Sequence, residues 1–206
     1  MAEDGHRRRL AHRRGMSLTV YPPGADSALL LEAATPLARG VCCEVGVGSG
    51  WVLQRLLTAT SAVTAVVGTD RNPHACEATV ARVPAAPRLL GVLCADRTHA
   101  LGADSIDTLL CNPPYLPAGD PAPDDPIAAA LDAGPDGLSM VAPLVADLPR
   151  ILRPRGHAVI ITSDATDQSR WARMLARSPL ERRQRHVRTV GGEALYADVL
   201  TRYDPE

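Results

Sequence analysis

The chain has 206 residues, 46% hydrophobic, with a formal net charge of -1, which suits one α/β domain with a sizeable core and gives no global attraction to nucleic acid or an anionic membrane. No run approaches ~18 uninterrupted apolar residues, so no membrane span is expected. The cysteines at 42, 43, 76, 94 and 111 lack CxxC spacing and are expected to be buried free thiols, the histidines lack ligand spacing so that no metal site is expected, and no export signal is seen, which points to the cytoplasm.

In chain order, residues 1–16 carry Arg7, Arg8, Arg9, Arg13 and Arg14. They are read as a disordered basic tail, with contact to RNA or the ribosome as the alternative. Every motif lies after Met16, so 17–206 is taken as a single domain. A helix is expected near 26–38. A buried strand at 41–45 then runs into Gly46-Val47-Gly48-Ser49-Gly50, and a helix follows at 50–59. A dinucleotide fingerprint would place its third glycine at position 51, where this chain has Trp51. The spacing found permits close backbone approach to a ligand but builds no equivalent phosphate cradle, so a ligand without phosphate fits better.

A strand at 63–69 ends in Thr69-Asp70, which places a carboxylate where it can accept from two ribose hydroxyls; the alternative is a helix cap, since Asn72-Pro73 opens the helix at 73–82. A strand at 89–94 is followed by Asp96, which would border an adenine or stand in a solvated loop. Arg71 and Arg97 follow the two aspartates and are counted with them on the ligand side.

The strand at 106–111 ends in Asn112-Pro113-Pro114-Tyr115. An amide, guanidine or exocyclic ring nitrogen is a poor nucleophile because its lone pair is delocalised. Two acceptors at one point, the Asn112 side-chain oxygen and the Pro113 carbonyl, would hold both N–H bonds and turn the lone pair toward an electrophile. Tyr115 would stack on the flat group, and the prolines stiffen the turn. The bland alternative is a proline-rich strand exit. The connection 116–136 that follows, with Asp120, Asp124, Asp125, Asp132 and Asp136, is read as a substrate lid whose charge repels phosphates.

Helices near 137–152 and 167–177 and a strand at 157–163 come next. Arg183 to Val190, Gly191-Gly192 and Ala194 to Thr201 then form a β-hairpin pattern, in which alternation puts Arg183 and Arg185 on one face. Strands alternating with helices imply a parallel sheet covered on both faces, with the hairpin as an antiparallel addition.

These motifs together resemble the HemK type of class I S-adenosylmethionine-dependent methyltransferases, which methylate glutamine or lysine nitrogens in proteins. The likeness runs from about Leu18 to Tyr203 and rests on Tyr21-Pro22-Pro23-Gly24-Ala25-Asp26-Ser27, Glu44 through Gly50, Asp70, Asn112 through Tyr115, and Ala130 through Leu138. It implies a Rossmann-like fold with a mostly parallel seven-stranded sheet. It also implies cofactor contacts at Tyr21, Pro23, Ser27, Glu44, Gly46, Gly48, Gly50, Asp70, Arg71, Asp96, Arg97 and Asn112, with the substrate nitrogen at Asn112, Pro113, Pro114 and Tyr115. S-adenosylhomocysteine would be the product. The helical domain that precedes the catalytic one in the bacterial branch is absent from this reading, Ala25 stands where the short branch often has an acid, and Arg97 stands where an apolar residue is usual.

The expected activity is methyl transfer to a nitrogen of a protein or peptide such as a release factor. A small activating subunit is a candidate partner, as in the short branch. A tailoring enzyme for a small molecule or peptide natural product is the first alternative. A nucleic-acid base methyltransferase would want a basic, aromatic groove that the sequence does not display, and a non-catalytic binding subunit would not need the intact glycine and Asn112–Tyr115 motifs.

Overall fold

The computed structural model describes residues 20–83, 88–115 and 133–203. The expected tail at 1–16 and the lid residues Asp120, Asp124, Asp125 and Asp132 lie outside the described residues.

Among these, helices and strands alternate as α1 (Ala25–Ala34), β1 (Gly40–Val45), α2 (Trp51–Ala59), β2 (Val63–Asp70), α3 (Pro73–Arg82), β3 (Leu89–Cys94), β4 (Ile106–Cys111), α4 (Val141–Ile151), β5 (Leu152–Ser163), α5 (Gln168–Ala176), β6 (Leu180–Val190) and β7 (Glu193–Arg202). The strands form one seven-stranded sheet in the order β3-β2-β1-β4-β5-β7-β6. β1 to β5 pair in parallel, and β7 runs antiparallel to both β5 and β6. The expected parallel sheet with a terminal hairpin is therefore what forms.

Apolar periodicity decides which helix face meets the sheet. In α4 the residues Val141, Leu144, Val145, Leu148 and Ile151 recur at helical spacing, and each is at most 1% exposed; burying one such side chain is worth roughly 1.5–3 kcal/mol. With Trp171 and Leu175 of α5 they make one apolar layer. Leu29 and Leu30 of α1, with Leu53 and Leu56 of α2, make the other.

Several details differ from expectation. α4 begins at Val141 rather than 137, because Gly134 and Gly137 take φ of 71° and 75°, left-handed values that no helix accommodates. β5 begins at Leu152 rather than 157: Ile106 pairs with Leu152 and Thr108 with His157, and the extra residues bulge outward with Arg155 at φ 60°. In β6 the register also shifts, between Arg182 and Gln184. That shift overturns the expected face of the hairpin, since Arg182 and Arg185, not Arg183 and Arg185, share the buried Asp198 carboxylate, at 3.8 and 2.5 Å. Arg183 instead pairs with Glu181 at 2.8 Å.

The chain runs outward from β1 through β2 to β3, then returns to place β4 on the other side of β1. The carboxyl ends of β1 and β4 therefore diverge into a crevice, which is where open α/β sheets place their ligands.

Candidate active site

A cavity of about 730 Å³ opens at that switch point, lined by the loops after β1, β2, β3 and β4 and by the segment before α1.

After β1 the chain turns sharply. Gly46, Gly48 and Gly50 all have positive φ, of 78°, 51° and 72°. A Cβ on Gly46 would meet nothing within 4 Å, so this glycine leaves its space to the cavity. Gly50 is different: it is absent from the cavity wall, and a Cβ there would come within 2.9 Å of the Thr79 backbone in α3. Its role is packing α3 against the turn, reinforced by Thr79 Oγ1 donating to the Gly48 carbonyl at 3.1 Å.

Asp70, at the end of β2, lines the cavity and also holds the turn. One carboxylate oxygen accepts from the Gly48 amide at 3.0 Å and the other from the Asn72 amide at 2.9 Å. The cap of α3 is Asn72, whose side chain accepts from the His74 amide at 3.0 Å, so Asp70 is free of that duty. Asp96 also lines the cavity, with its carboxylate 2.7 Å from Arg97 and 45% exposed.

Glu44 is 3% exposed on β1. Its carboxyl is held well above the usual carboxylate range, first by burial and then by Asp70 nearby, against a lowering backbone hydrogen bond at Leu53. Its Oε2 has no hydrogen-bond partner among the described residues, and neither has the buried Oδ1 of Asn112. β1 and β4 are neighbours, with Val45 paired to Cys111, so these two orphaned acceptors come from adjacent strand ends and share the cavity wall. A buried acceptor without a donor costs ~1–3 kcal/mol, which marks a site built to receive N–H groups or a cation.

Pro113, Pro114 and Tyr115 continue the wall. The Tyr115 hydroxyl donates to Asp26 at 3.3 Å, and so does that of Tyr21 at 3.4 Å. Both phenols are raised above their ordinary pKa, chiefly by burial and then by the Asp26 charge, so they remain protonated donors. Asp26 is 4% exposed, and its other oxygen accepts from the Ser27 amide at 2.6 Å. The sequence reading missed Asp26 as a site residue, although it lies inside the Tyr21–Ser27 motif.

The Ala133–Leu138 stretch braces this wall from behind. Thr166 Oγ1 donates to the Tyr115 carbonyl at 3.2 Å, and a Cβ on Gly137 would come within 2.5 Å of that carbonyl. Only glycine permits the approach. Asp136 caps Leu138 at 3.0 Å and pairs with Arg170 of α5.

The cavity thus gathers Tyr21, Pro23, Ser27, Glu44, Gly46, Gly48, Asp70, Arg71, Asp96, Arg97 and Asn112 through Tyr115. Among the described residues no group of three or more His, Cys, Asp or Glu is arranged to hold a metal ion, and no helix is long and apolar enough to cross a membrane.

No family model matches the chain. It is 29% identical over 150 residues to a candidate protein N5-glutamine methyltransferase of Methanocaldococcus jannaschii, covering 72% of this chain and 75% of that protein. It is 36% identical over 123 residues to the release factor glutamine methyltransferase of Caulobacter vibrioides, covering 55% of this chain and only 42% of that one. In fold it is similar to the E. cuniculi Mtq2–Trm112 complex responsible for methylating the eRF1 translation termination factor, with a TM-score of 0.67, 21% identity, and coverage of 91% of this chain and 100% of that one.

Proposed function

We propose that this chain, a HemK-type class I methyltransferase by its relatives and its fold, moves a methyl group from S-adenosylmethionine to a planar side-chain nitrogen of a protein. The glutamine amide of a peptide chain release factor is the first candidate acceptor. The observation that carries this is the pair of buried, partnerless acceptors, Glu44 Oε2 and Asn112 Oδ1, on adjacent strand ends.

The residues present fit the donor. Glu44 offers an unmatched carboxyl to its ammonium, Gly46 leaves room beside the backbone, and Asp70 and Asp96 offer acceptors to its nucleoside. When bound, the donor supplies a methyl on a sulfonium, an electrophile that is already activated.

The remaining work is alignment. Asn112 Oδ1 accepts an amide N–H and, being neutral, leaves the amide its second proton until the nitrogen has reacted. Tyr115, fixed through its hydroxyl by Asp26 and through its carbonyl by Thr166, holds the flat group against the wall. Orientation of this kind is worth ~7–11 kcal/mol. Asp26 already receives Ser27 and both tyrosines, so it is a brace rather than a base.

The acceptor is protein rather than nucleic acid on electrostatic grounds. Asp26, Asp70 and Asp96 line the cavity against Arg71 and Arg97, a balance that disfavours phosphates. On the hairpin, Arg182, Arg183, Arg185 and Arg188 each meet a carboxylate, which weakens the case for ribosomal RNA contact there.

A small activating subunit completes the reading. Among the described residues β3 pairs only with β2, Leu90 on it is 66% exposed, and Val80 on α3 is 56% exposed; an open strand edge with apolar side chains is a surface that another chain covers. We place the protein in the cytoplasm, where its free cysteines stay reduced.

The test is incubation with labelled donor, alone and with a small candidate activating protein, against a release factor, a whole proteome and total RNA. Label on a glutamine of a protein is expected. Label confined to RNA or to a small molecule would overturn the acceptor class.

A further inference from the structure

Cys94 ends β3 and pairs in register with Asp70 at the end of β2. Cys76 lies near the start of α3, the helix that follows β2. The Cys76 thiol donates to the Asp70 carbonyl at 3.6 Å and the Cys94 thiol to the Arg71 carbonyl at 3.8 Å. Both sulfurs therefore converge on the carbonyls of two consecutive residues. Sequence reading expected buried thiols, but Cys94 is exposed and Cys76 only partly covered, because β3 is an edge strand; Cys42, Cys43 and Cys111 are buried as expected. Asp70 and Arg71 belong to the cavity wall, as do Asn72 and His74 at the start of α3.

We infer that Cys76 and Cys94 form a redox-active dithiol, which a hydroperoxide converts to a disulfide that weakens donor binding in the adjoining cavity. The second half rests on the donor reading above; the first does not.

The division of roles follows from exposure. Burial and the neighbouring Cys94 push the Cys76 thiol up to about 11, so it is a poor first attacker, whereas the exposed Cys94 is the sulfur a peroxide reaches. Cys94 thiolate attacks one peroxide oxygen, the O–O bond breaks, and the other oxygen leaves as hydroxide or alkoxide and is protonated. Cys76 then attacks the resulting Cys94 sulfenic acid; the S–S bond forms, and the sulfenic oxygen departs with the Cys76 proton as water. Two electrons pass from the dithiol to the peroxide, and a thiol reductant restores both sulfhydryls.

The bridge disturbs the cavity for a geometric reason. Bonded sulfurs sit ~2.05 Å apart, so the first turn of α3 is drawn toward β3. Both S–H donors vanish, and although the Asp70 carbonyl keeps the Ala95 amide at 2.9 Å, the segment carrying Asp70 and Asn72 must shift.

The test uses the whole protein treated with graded hydrogen peroxide, alkylated and digested with trypsin. Cleavage after arginine places Cys76 in residues 72–82 and Cys94 in residues 89–97, each the single cysteine of its peptide. The expected result is a disulfide-linked pair of these peptides, about 2 Da below their sum, reversed by dithiothreitol. Cys76→Ser should abolish the link and leave Cys94 as a sulfenic acid trapped by dimedone. Calorimetry with S-adenosylhomocysteine should show several-fold weaker binding for oxidised than for reduced protein, and no change on peroxide treatment of Cys76→Ser. Peptides that stay unlinked, with both thiols free or Cys94 overoxidised alone, would overturn the dithiol. Linked peptides with unchanged affinity would overturn its coupling to the cavity, and failure of the reduced protein to bind would instead count against the donor reading.

Discussion

The carboxylate of Asp26, at the start of α1, receives the hydroxyl of Tyr115, 89 positions further along, at 3.3 Å. Tyr21 reaches the same oxygen at 3.4 Å. One buried side chain thereby joins the segment before α1 to the turn after β4, the two walls proposed to hold donor and acceptor.

Asp26→Ala should therefore lower turnover more than donor affinity. A hydrogen bond to a charged group is worth roughly 1.5–3 kcal/mol, about 10- to 150-fold. In single-turnover assays Asp26→Ala and Tyr115→Phe should be non-additive when combined, because each removes the same contact. Fully additive losses would show that the two side chains act separately.

Asn112→Ala should lose most methyl transfer while S-adenosylhomocysteine binds within a few-fold of normal, since the side chain is assigned to the acceptor nitrogen. Turnover surviving within a few-fold would reduce the Asn112–Tyr115 turn to a strand exit.

Asp70→Ala removes the acceptor of the Gly48 and Asn72 amides together with the acceptor proposed for the donor's ribose. Affinity should fall by roughly 1.5–3 kcal/mol, read by titration calorimetry. An unchanged dissociation constant is the outcome that sinks this assignment.

Glu44 couples pH to both stability and binding. Its carboxyl is raised in the folded protein, so its stabilising contribution is whole below the unfolded value near 4.5 and is lost as pH rises through the folded value. A cation bound beside it favours the ionised form, so donor affinity should rise over that same interval. Glu44→Gln should flatten both dependences, raising the melting temperature at neutral pH while weakening donor binding. Parallel pH profiles for the two proteins would show that Glu44 does not titrate in this range.

Asp198 is wholly buried, accepting from Arg185 at 2.8 and 2.5 Å and from the Trp171 indole at 2.7 Å. Asp198→Ala leaves both donors without their partner and should cost ~3 kcal/mol, or about 6–12 °C in melting temperature for a domain of this size. Donor affinity measured well below the transition should hardly change, because the residue is outside the cavity wall.

Local features of the sequence foretold the cavity wall where its parts lie close together along the chain. The Gly46, Gly48 and Gly50 spacing announced a turn, and Asn112-Pro113-Pro114-Tyr115 announced an acceptor at a strand end. Gly50 shows the limit: its positive φ is a local need, but what occupies the space beside it is Thr79 of a different helix. Asp26 escaped notice because, beyond its neighbour Tyr21, the second tyrosine it receives lies 89 positions away. Alternation misassigned Arg183 because a bulge shifts the period by one residue, and nothing in the local pattern marks it. The strand expected at 89–94 forms, but its apolar run gives no sign that the topology leaves it at the rim with Leu90 in solvent.

The position of β7 between β5 and β6 has a consequence for synthesis. β6 emerges from the ribosome first yet can reach the sheet only through a strand that is made after it. A nascent chain paused before Glu193 would hold β5 with an open edge, β6 with nothing to pair against, and the Trp171 indole without its carboxylate. Strand edges in that condition invite pairing with other chains, so slow translation of this stretch should favour aggregation over any partly active intermediate.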